Sequence, residues 1–151
     1  MKRCKWCNLN NKKYIDYHDN EWGKLNLCDD YLFKMLILES FQAGLSWECV
    51  LNKREYFEEA FDNFCIDKII NYDNSKIEEL CNNKNIIRNK LKIKATINNA
   101  RIFKEIQNEY GSFHEYLNQF TNGKVVYEND KISSQLSDEI SSSLKGKGMK
   151  F

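Results

Sequence analysis

Glu39 is the residue whose type and setting most strongly suggest chemistry. Leu32, Leu36, Glu39 and Ala43 are spaced by four, three and four residues, so a helix would carry all of them on one face. A carboxylate among apolar neighbours is costly unless a cation, a hydrogen-bond donor or an open pocket stabilises it. Two interpretations stay open: Glu39 lines a ligand pocket, or it caps a neighbouring helix or pairs with an arginine.

Aromatic residues cluster near the N-terminus as Trp6, Tyr14, Tyr17 and Trp22, and Trp47 follows further along the chain. A base flipped out of a duplex is held between aromatic faces, and a cationic base gains further from π faces and a carboxylate. For any one of these rings alone, packing in a hydrophobic core is the simpler interpretation. The cluster therefore indicates a base pocket only in combination with Glu39.

Cys4, Cys7 and His18 offer thiolate and imidazole ligands of the kind that zinc prefers. A structural zinc site needs four such ligands, whereas no second CxxC pair follows Cys4 and Cys7, and His114 is the only other histidine. The residues by themselves therefore do not indicate a metal.

The segment of residues 145–151 alternates basic residues with Gly146 and Gly148. Backbone N–H groups exposed at such a turn, followed by the start of a helix, commonly bind a phosphate. A frayed tail is the alternative that composition favours.

The elements that must position these residues are predicted to be helices. The sequence has no proline and only six glycines, and it is rich in lysine, asparagine, isoleucine and glutamate, which favours an all-α fold. Hydrophobic spacing predicts helices over Asp29 to Ala43, Ser46 to Phe61, Ile86 to Tyr110, Ser112 to Phe120 and Ser134 to Leu144, and two short helices within 66–82. Asp29 or Asp30 can cap the first helix and Gly44 can end it, Ser75 opens the second of the short helices, and Gly111 ends the long one. The long helix has a basic face formed by Arg88, Lys90, Lys92, Lys94, Arg101 and Lys104.

Length and composition set the remaining limits. The 151 residues fit one domain, and 23 basic against 22 acidic residues give a net charge of +1, which favours no class of partner. No apolar run is long enough for a membrane span or a signal peptide, so we expect a soluble cytoplasmic protein with no membrane partner. The six cysteines lack a disulfide framework, and we expect them to be reduced.

Three ordered blocks closely resemble the type I DNA-3-methyladenine glycosylases. They are Arg3-Cys4-x-Trp6, then Tyr17-His18-Asp19-Asn20-Glu21-Trp22-Gly23, then Leu38-Glu39-x-x-Gln42-Ala43-Gly44-Leu45-Ser46-Trp47. Residues 53–61, 85–93 and 144–151 also match, so the resemblance covers essentially the whole chain.

The resemblance implies one all-helical domain over residues 1–151, of the helix-hairpin-helix glycosylase superfamily, with the hairpin cut at the C-terminus. It implies a monofunctional hydrolase that acts in base-excision repair of alkylated double-stranded DNA. Such an enzyme cleaves the N-glycosidic bond of 3-methyladenine and leaves an abasic site and the free base. Nothing in the sequence demands more than a monomer, which is therefore the expected state.

The resemblance also assigns roles to individual residues. It places the base pocket at Glu39, Tyr17 and Trp47 with Trp6 nearby, and makes Glu39 the catalytic residue. It places the DNA-binding turn at Gly148, flanked by Lys147 and Lys150.

The resemblance further implies a zinc ion, for which Cys4 and His18 match the two N-terminal ligands of the family. Type I enzymes continue past the turn into a second hairpin helix and supply a histidine and a cysteine that complete the zinc site, whereas this sequence ends at Phe151. A fragment and a shortened gene product both explain this difference. These 151 residues therefore match one half of the family's zinc site and only part of its DNA-binding hairpin.

Two other functions compete with the glycosylase. One is an inactive module that keeps the base pocket but no longer binds DNA. The other is a nucleic-acid binder that acts through the basic face between Arg88 and Lys104, with salt-sensitive affinity that ignores methylation.

Overall fold

The computed structural model describes residues 3–127 and 133–151, and all regular structure in these two ranges is helical. The helices are α1 (Lys12–Asn20), α2 (Asp29–Gln42), α3 (Trp47–Asn52), α4 (Arg54–Ala60), α5 (Ile66–Ile69), α6 (Asn74–Asn82), α7 (Lys90–Tyr110), α8 (Phe113–Thr121) and α9 (Gln135–Gly146), with a 3₁₀ turn at Asp62–Phe64. The predicted all-α fold is confirmed.

Helices α2 and α7 form the centre of the core. Phe33, Ile37 and Phe41 of α2 are fully buried, as is Phe103 of α7, whose ring packs edge-on against Phe33 at 5.2 Å between centroids. Each such side chain stabilises the fold by about 1.5–3 kcal/mol relative to an exposed position. This packing fixes the orientation of α2, and Glu39 lies on the part of α2 that faces away from the core.

Several predicted helix boundaries are wrong. The helix predicted from Ser46 to Phe61 is interrupted at Lys53, whose backbone (φ −102°, ψ 1°) leaves helical geometry between α3 and α4. Asp73, not Ser75, opens α6, because its carboxylate accepts the Lys76 N–H at 2.9 Å. Asn89 caps α7, so that helix begins four residues later than predicted.

Other boundaries are confirmed, and one helix was not predicted at all. Gly111 ends α7 with a positive φ of 87°, and Ser112 and Ser134 cap α8 and α9. Helix α1 was missed, although Asn11, which accepts from the Lys13 and Tyr14 N–H groups, is an ordinary N-cap residue.

Asp29 caps a helix other than its own. The N-cap of α2 is Cys28, and the Asp29 carboxylate accepts the Phe113 N–H at 2.9 Å and the Gln107 side-chain amide at 2.8 Å. The prediction that Asp29 or Asp30 caps α2 is therefore wrong. The Asp29 carboxylate supplies an acceptor for the first N–H groups of α8, and its negative charge stabilises the partial positive charge at the N-terminus of that helix.

Replacing Asp29 by Ala is expected to lower the free energy of unfolding by about 1–2 kcal/mol, since the first N–H groups of α8 lose their acceptor. Urea unfolding followed by circular dichroism measures this change. The matched control is Asp30→Ala at the exposed neighbouring position. Equal losses in the two variants would contradict the assignment of the cap to Asp29.

Only part of the predicted basic face of α7 is exposed to solvent. Lys92 is 5% exposed, and its amine donates to the backbone oxygens of Phe41 (2.9 Å) and Ala43 (2.6 Å). The prediction that Lys92 belongs to an outward basic face is wrong, because its amine satisfies carbonyl groups at the end of α2. Burial lowers the pKa of the Lys92 amine.

All six cysteines lie in the described ranges, and none of them forms a disulfide there. Within those ranges, no helix has both the length and the apolar content that crossing a bilayer would require.

Candidate active site

A cavity of about 290 Å³ opens where four parts of the chain meet. Its volume is close to the lower end of the range for small-ligand sites, about 300 Å³. The side chains around it come from the N-terminal segment, α1 and the residues after it, the end of α2, and the start of α3: Trp6, Tyr14, Tyr17, Trp22, Glu39, Gln42 and Trp47. All four side chains that the sequence predicted for a base pocket are therefore brought together.

Aromatic rings form the walls of this cavity. Trp6 lies 5.1 Å from Trp22 and 6.5 Å from Tyr17 between ring centroids, and Tyr17 packs edge-on against Trp47 at 5.3 Å. The negative faces of such rings attract cations and stack on flat bases. The cavity is thus suited to a planar ligand that carries positive charge.

A short turn sets Glu39 opposite Trp47. Gly44 adopts a positive φ of 80°, a conformation that glycine takes without strain, and Ser46 then caps α3 by accepting the Cys49 N–H at 3.1 Å. The buried amine of Lys92 binds the carbonyl groups of Phe41 and Ala43 just before this turn. The end of α2 and the start of α3 are therefore held in a fixed relation.

The Glu39 carboxylate forms no hydrogen bond or ion pair within the described part of the chain, so it neither caps a helix nor pairs with an arginine. Water reaches the side chain through the cavity, but the surrounding protein partly desolvates it, and this desolvation raises the pKa of the Glu39 carboxyl. Among the described residues that line this cavity, Glu39 is the only acidic one, and its carboxylate has no partner within that part of the chain.

Glu39 also lines a second, larger cavity of about 420 Å³ between α2 and α9. Its walls are mainly apolar and include Leu36, Ala43, Ile140 and Leu144. Of the four residues that the sequence predicted on one face, Leu36, Glu39 and Ala43 line this cavity. Leu32 does not line it, and both Leu32 and Leu36 also pack against the hydrophobic core.

Trp47 carries a second unsatisfied group. Its indole Nε1 is buried and has no hydrogen-bond partner among the described residues. Buried indole N–H groups normally find an acceptor, so one is expected from a water molecule or a ligand. Trp47 thus offers both a ring face and a polar edge.

Tyr17 stays a neutral phenol across the physiological range. Burial, followed by the nearby negative charges of Glu39 and Glu21, raises its pKa to about 12. The ring can therefore stack on a cation without adding a charge of its own.

An ion pair braces the aromatic wall. The Glu21 carboxylate accepts from the Arg54 guanidinium at 2.7 Å and from the Tyr31 hydroxyl at 3.0 Å. Glu21 directly precedes Trp22, so these bonds tie that side of the cavity to α2 and α4.

The two residues predicted to bind zinc lie side by side. His18 Nε2 accepts the Cys4 N–H at 3.2 Å, while His18 Nδ1 lies 2.9 Å from Asp19 Oδ1, and Asp19 is bound by Arg3 at 2.6 Å. A carboxylate behind a histidine is typical of metal sites. However, no group of three or more potential ligands occurs among the described residues, so this donor set does not by itself satisfy zinc.

The C-terminal turn is docked rather than frayed, which overturns the alternative that composition favoured. The Gly148 carbonyl accepts from the Asn98 amide at 2.9 Å, the Asn99 side chain bonds both backbone groups of Lys150 at 2.8 Å, and Met149 is buried. Lys147 is engaged internally, since its amine lies 2.7 Å from a Glu109 oxygen. A DNA-binding role for Gly148, Lys147 and Lys150 stays a prediction, and a phosphate at Lys147 would have to compete with Glu109.

Gln42 is the cavity residue that sequence reasoning did not select. A signal was present, because Gln42 lies three residues after Glu39 and therefore on the same side of the helix. Its amide can both donate and accept, which suits recognition of the edge of a base.

Comparisons with known proteins show which family the chain is similar to. A family model described as methyladenine glycosylase matches residues 6–151. DNA-3-methyladenine glycosylase 1 of Escherichia coli (strain K12) is 36% identical over 157 residues, which cover 100% of this chain and 83% of that protein.

Two solved structures resemble the fold closely. A crystal structure of 3-methyladenine DNA glycosylase I (TAG) has a TM-score of 0.90 and 37% identity, covering 99% of this chain and 85% of the other. A TAG variant in complex with 3-methyladenine also has a TM-score of 0.90, with 35% identity over 99% of this chain and 83% of the other. Because the family model matches nearly the whole chain and the relatives share more than a third of its residues and its fold, the chain belongs to the methyladenine glycosylase family.

Proposed function

We propose that this chain is a monofunctional DNA-3-methyladenine glycosylase, which hydrolyses the N-glycosidic bond of 3-methyladenine in alkylated duplex DNA and leaves an abasic site. The observation that carries the proposal is the unpaired Glu39 carboxylate in a cavity walled by aromatic rings. Family membership and the 3-methyladenine complex of a relative point to the same substrate.

The charge of the substrate explains the selection. A 3-methyladenine base is cationic while it is attached to the sugar, whereas adenine is neutral. An ionised Glu39 accepts an N–H from the base edge, and the faces of Tyr17 and Trp47 stack on the flipped ring. Adenine gains little from the carboxylate, so the site discriminates through charge rather than shape alone.

The reaction needs little further catalysis, because the positive charge already weakens the glycosidic bond. A water oxygen bonds to the sugar carbon while the bond to the base breaks, and the electron pair of that bond neutralises the departing base. The water loses its proton to solvent. The protein holds the nucleotide in place and stabilises the charge. The described residues that line the aromatic cavity include no lysine that could form a covalent intermediate.

For zinc, we propose that Cys4 and His18 form one half of a site whose other ligands the described residues do not supply. Bound zinc would hold the N-terminal segment that carries Trp6. No step of the proposed reaction passes through the metal.

The decisive experiment is incubation of the chain with methylated duplex DNA, followed by chromatography of released bases and quantification of abasic sites. We expect free 3-methyladenine and one abasic site for each base released, and no release from unmethylated duplex. A folded chain that binds free 3-methyladenine but releases none from DNA would favour the inactive binding module instead.

The rate of release is expected to fall as the pH drops through the raised pKa of Glu39, which lies above the ordinary glutamate value of 4.5. The substrate cation persists across this range, and Tyr17 remains protonated, so the loss reports protonation of Glu39. A pH–rate profile of the Glu39→Gln variant should lack this acidic limb. A limb that persists in the variant would assign the titration to another group.

A further inference from the structure

We propose that an exposed face of α7, formed by Lys94, Asn98 and Arg101, binds the phosphate backbone of duplex DNA beside the C-terminal turn. The inference rests on the proposed function and extends it by a second contact surface. These three residues, called the α7 cationic face, lie at positions i, i+4 and i+7 and therefore on one side of the helix.

No carboxylate among the described residues forms an ion pair with the charges of the α7 cationic face. Lys94 and Arg101 are exposed and form no ion pair in the described part of the chain; Arg101 donates only to the carbonyl of Ile70 at 3.2 Å. On the same helix, Lys104 instead pairs with Asp67 at 2.9 Å. Because the net charge of the chain is only +1, unpaired cations concentrated on one face give it a local attraction for phosphate.

Two cavities meet at this face. Lys94 and Asn98 line a cavity of about 360 Å³ together with Lys150 and Phe151, and they also line one of about 390 Å³ that reaches Arg101. Phe151 in turn lines the larger cavity that contains Glu39. Neighbouring cavities therefore share lining residues from the neighbourhood of Glu39 through Phe151 to α7.

Asn98 connects the α7 cationic face to the turn directly. Its amide donates to the Gly148 carbonyl at 2.9 Å, and the adjacent Asn99 bonds both backbone groups of Lys150, so the turn and this part of α7 form a rigid unit. Lys94 and Arg101 are about 10 Å apart along the helix axis. At that separation the two side chains can contact different phosphates of one strand, because successive phosphates are displaced by only about 3.4 Å along the DNA axis.

One carboxylate lines the two cavities within the described residues, and it does not cancel the charge of the face. Asp73 lies in the cavity that reaches Arg101, but its Oδ1 accepts the Lys76 N–H at 2.9 Å and caps α6. A phosphate at Lys94 and Lys150 would approach through the other cavity, whose lining includes no acidic residue.

The test measures binding of a short methylated duplex by filter retention over a series of salt concentrations. The variant is Lys94→Gln with Arg101→Gln, and the control of equal charge change is Lys68→Gln with Lys104→Gln, whose lysines pair with Asp62 and Asp67. We expect the first variant to bind more weakly, with the slope of log affinity against log salt reduced by about 0.9 for each phosphate that the protein no longer neutralises. The control should keep the slope of the unaltered chain.

A slope in the Lys94/Arg101 variant equal to that of the unaltered chain would overturn the inference while leaving the glycosylase intact, provided that the unaltered chain releases 3-methyladenine. If the unaltered chain neither binds the duplex nor releases the base, both the inference and the proposed function fail. Binding of free 3-methyladenine should be the same in all three proteins, since none of the changed residues lines the aromatic cavity.

Discussion

Replacing Glu39 by Gln is expected to lower the rate of 3-methyladenine release by about 10- to 100-fold. The amide keeps the shape of the side chain but loses the charge that binds a cationic base, and hydrogen bonds to charged groups contribute about 1.5–3 kcal/mol. Since about 1.4 kcal/mol corresponds to a factor of ten, the loss should be easy to measure in a single-turnover assay. Glu59→Gln, at an exposed position on α4, is the matched control.

The same variant should be as stable as the unaltered chain or more so at neutral pH. The folded-state pKa of Glu39 is raised, so its ionised carboxylate destabilises the fold above that pKa, and the effect disappears as the pH falls through it. Glutamine removes the charge altogether. A variant that unfolds would show that Glu39 holds the structure together and would contradict its assignment to the ligand site.

Unlike the Glu39→Gln change, replacing Lys92 by Met is expected to destabilise the fold, lowering the free energy of unfolding by about 2 kcal/mol. The carbonyl oxygens of Phe41 and Ala43 lose their buried donor, and leaving buried acceptors unsatisfied costs about 1–3 kcal/mol each. For a domain of this size that loss lowers the melting temperature by about 4–8 °C. Thermal unfolding followed by circular dichroism measures it.

Activity should also decline in the Lys92→Met variant at temperatures where it is fully folded, because Glu39 and Trp47 flank the turn that Lys92 holds. The matched control is Lys90→Met, the same change two residues away at an exposed position of α7. If both variants melt at the temperature of the unaltered chain, the bonds from Lys92 are not important for stability.

The sequence allowed the site to be predicted where its residues lie close together in the chain. Glu39 and Trp47 belong to one continuous motif, and the spacing of Leu36, Glu39 and Ala43 predicted their common face correctly. The spacing did not predict that this face is accessible from two sides, because the second cavity also needs residues of α9 about a hundred positions later.

The errors arose where the partner of a side chain is distant in the sequence. Asp29 has the type and position of a cap for α2, but the N–H groups that it binds belong to residues 113 and 114. Lys92 alternates with other basic residues and so suggests a solvated face, yet the end of α2 and the C-terminal turn pack against its side of α7. Helical periodicity describes one helix at a time and contains no information about such partners.

The placement of the tryptophans gives the protein an internal optical reporter. The chain has three tryptophans, and all of them, Trp6, Trp22 and Trp47, line the aromatic cavity. Their fluorescence emission therefore reports the occupancy and polarity of this one site, while the phenylalanine-rich core between α2 and α7 contributes no tryptophan signal. Quenching of this fluorescence by an added base measures binding without any label. A shift in the emission during denaturation reports the opening of the cavity rather than the unfolding of the core.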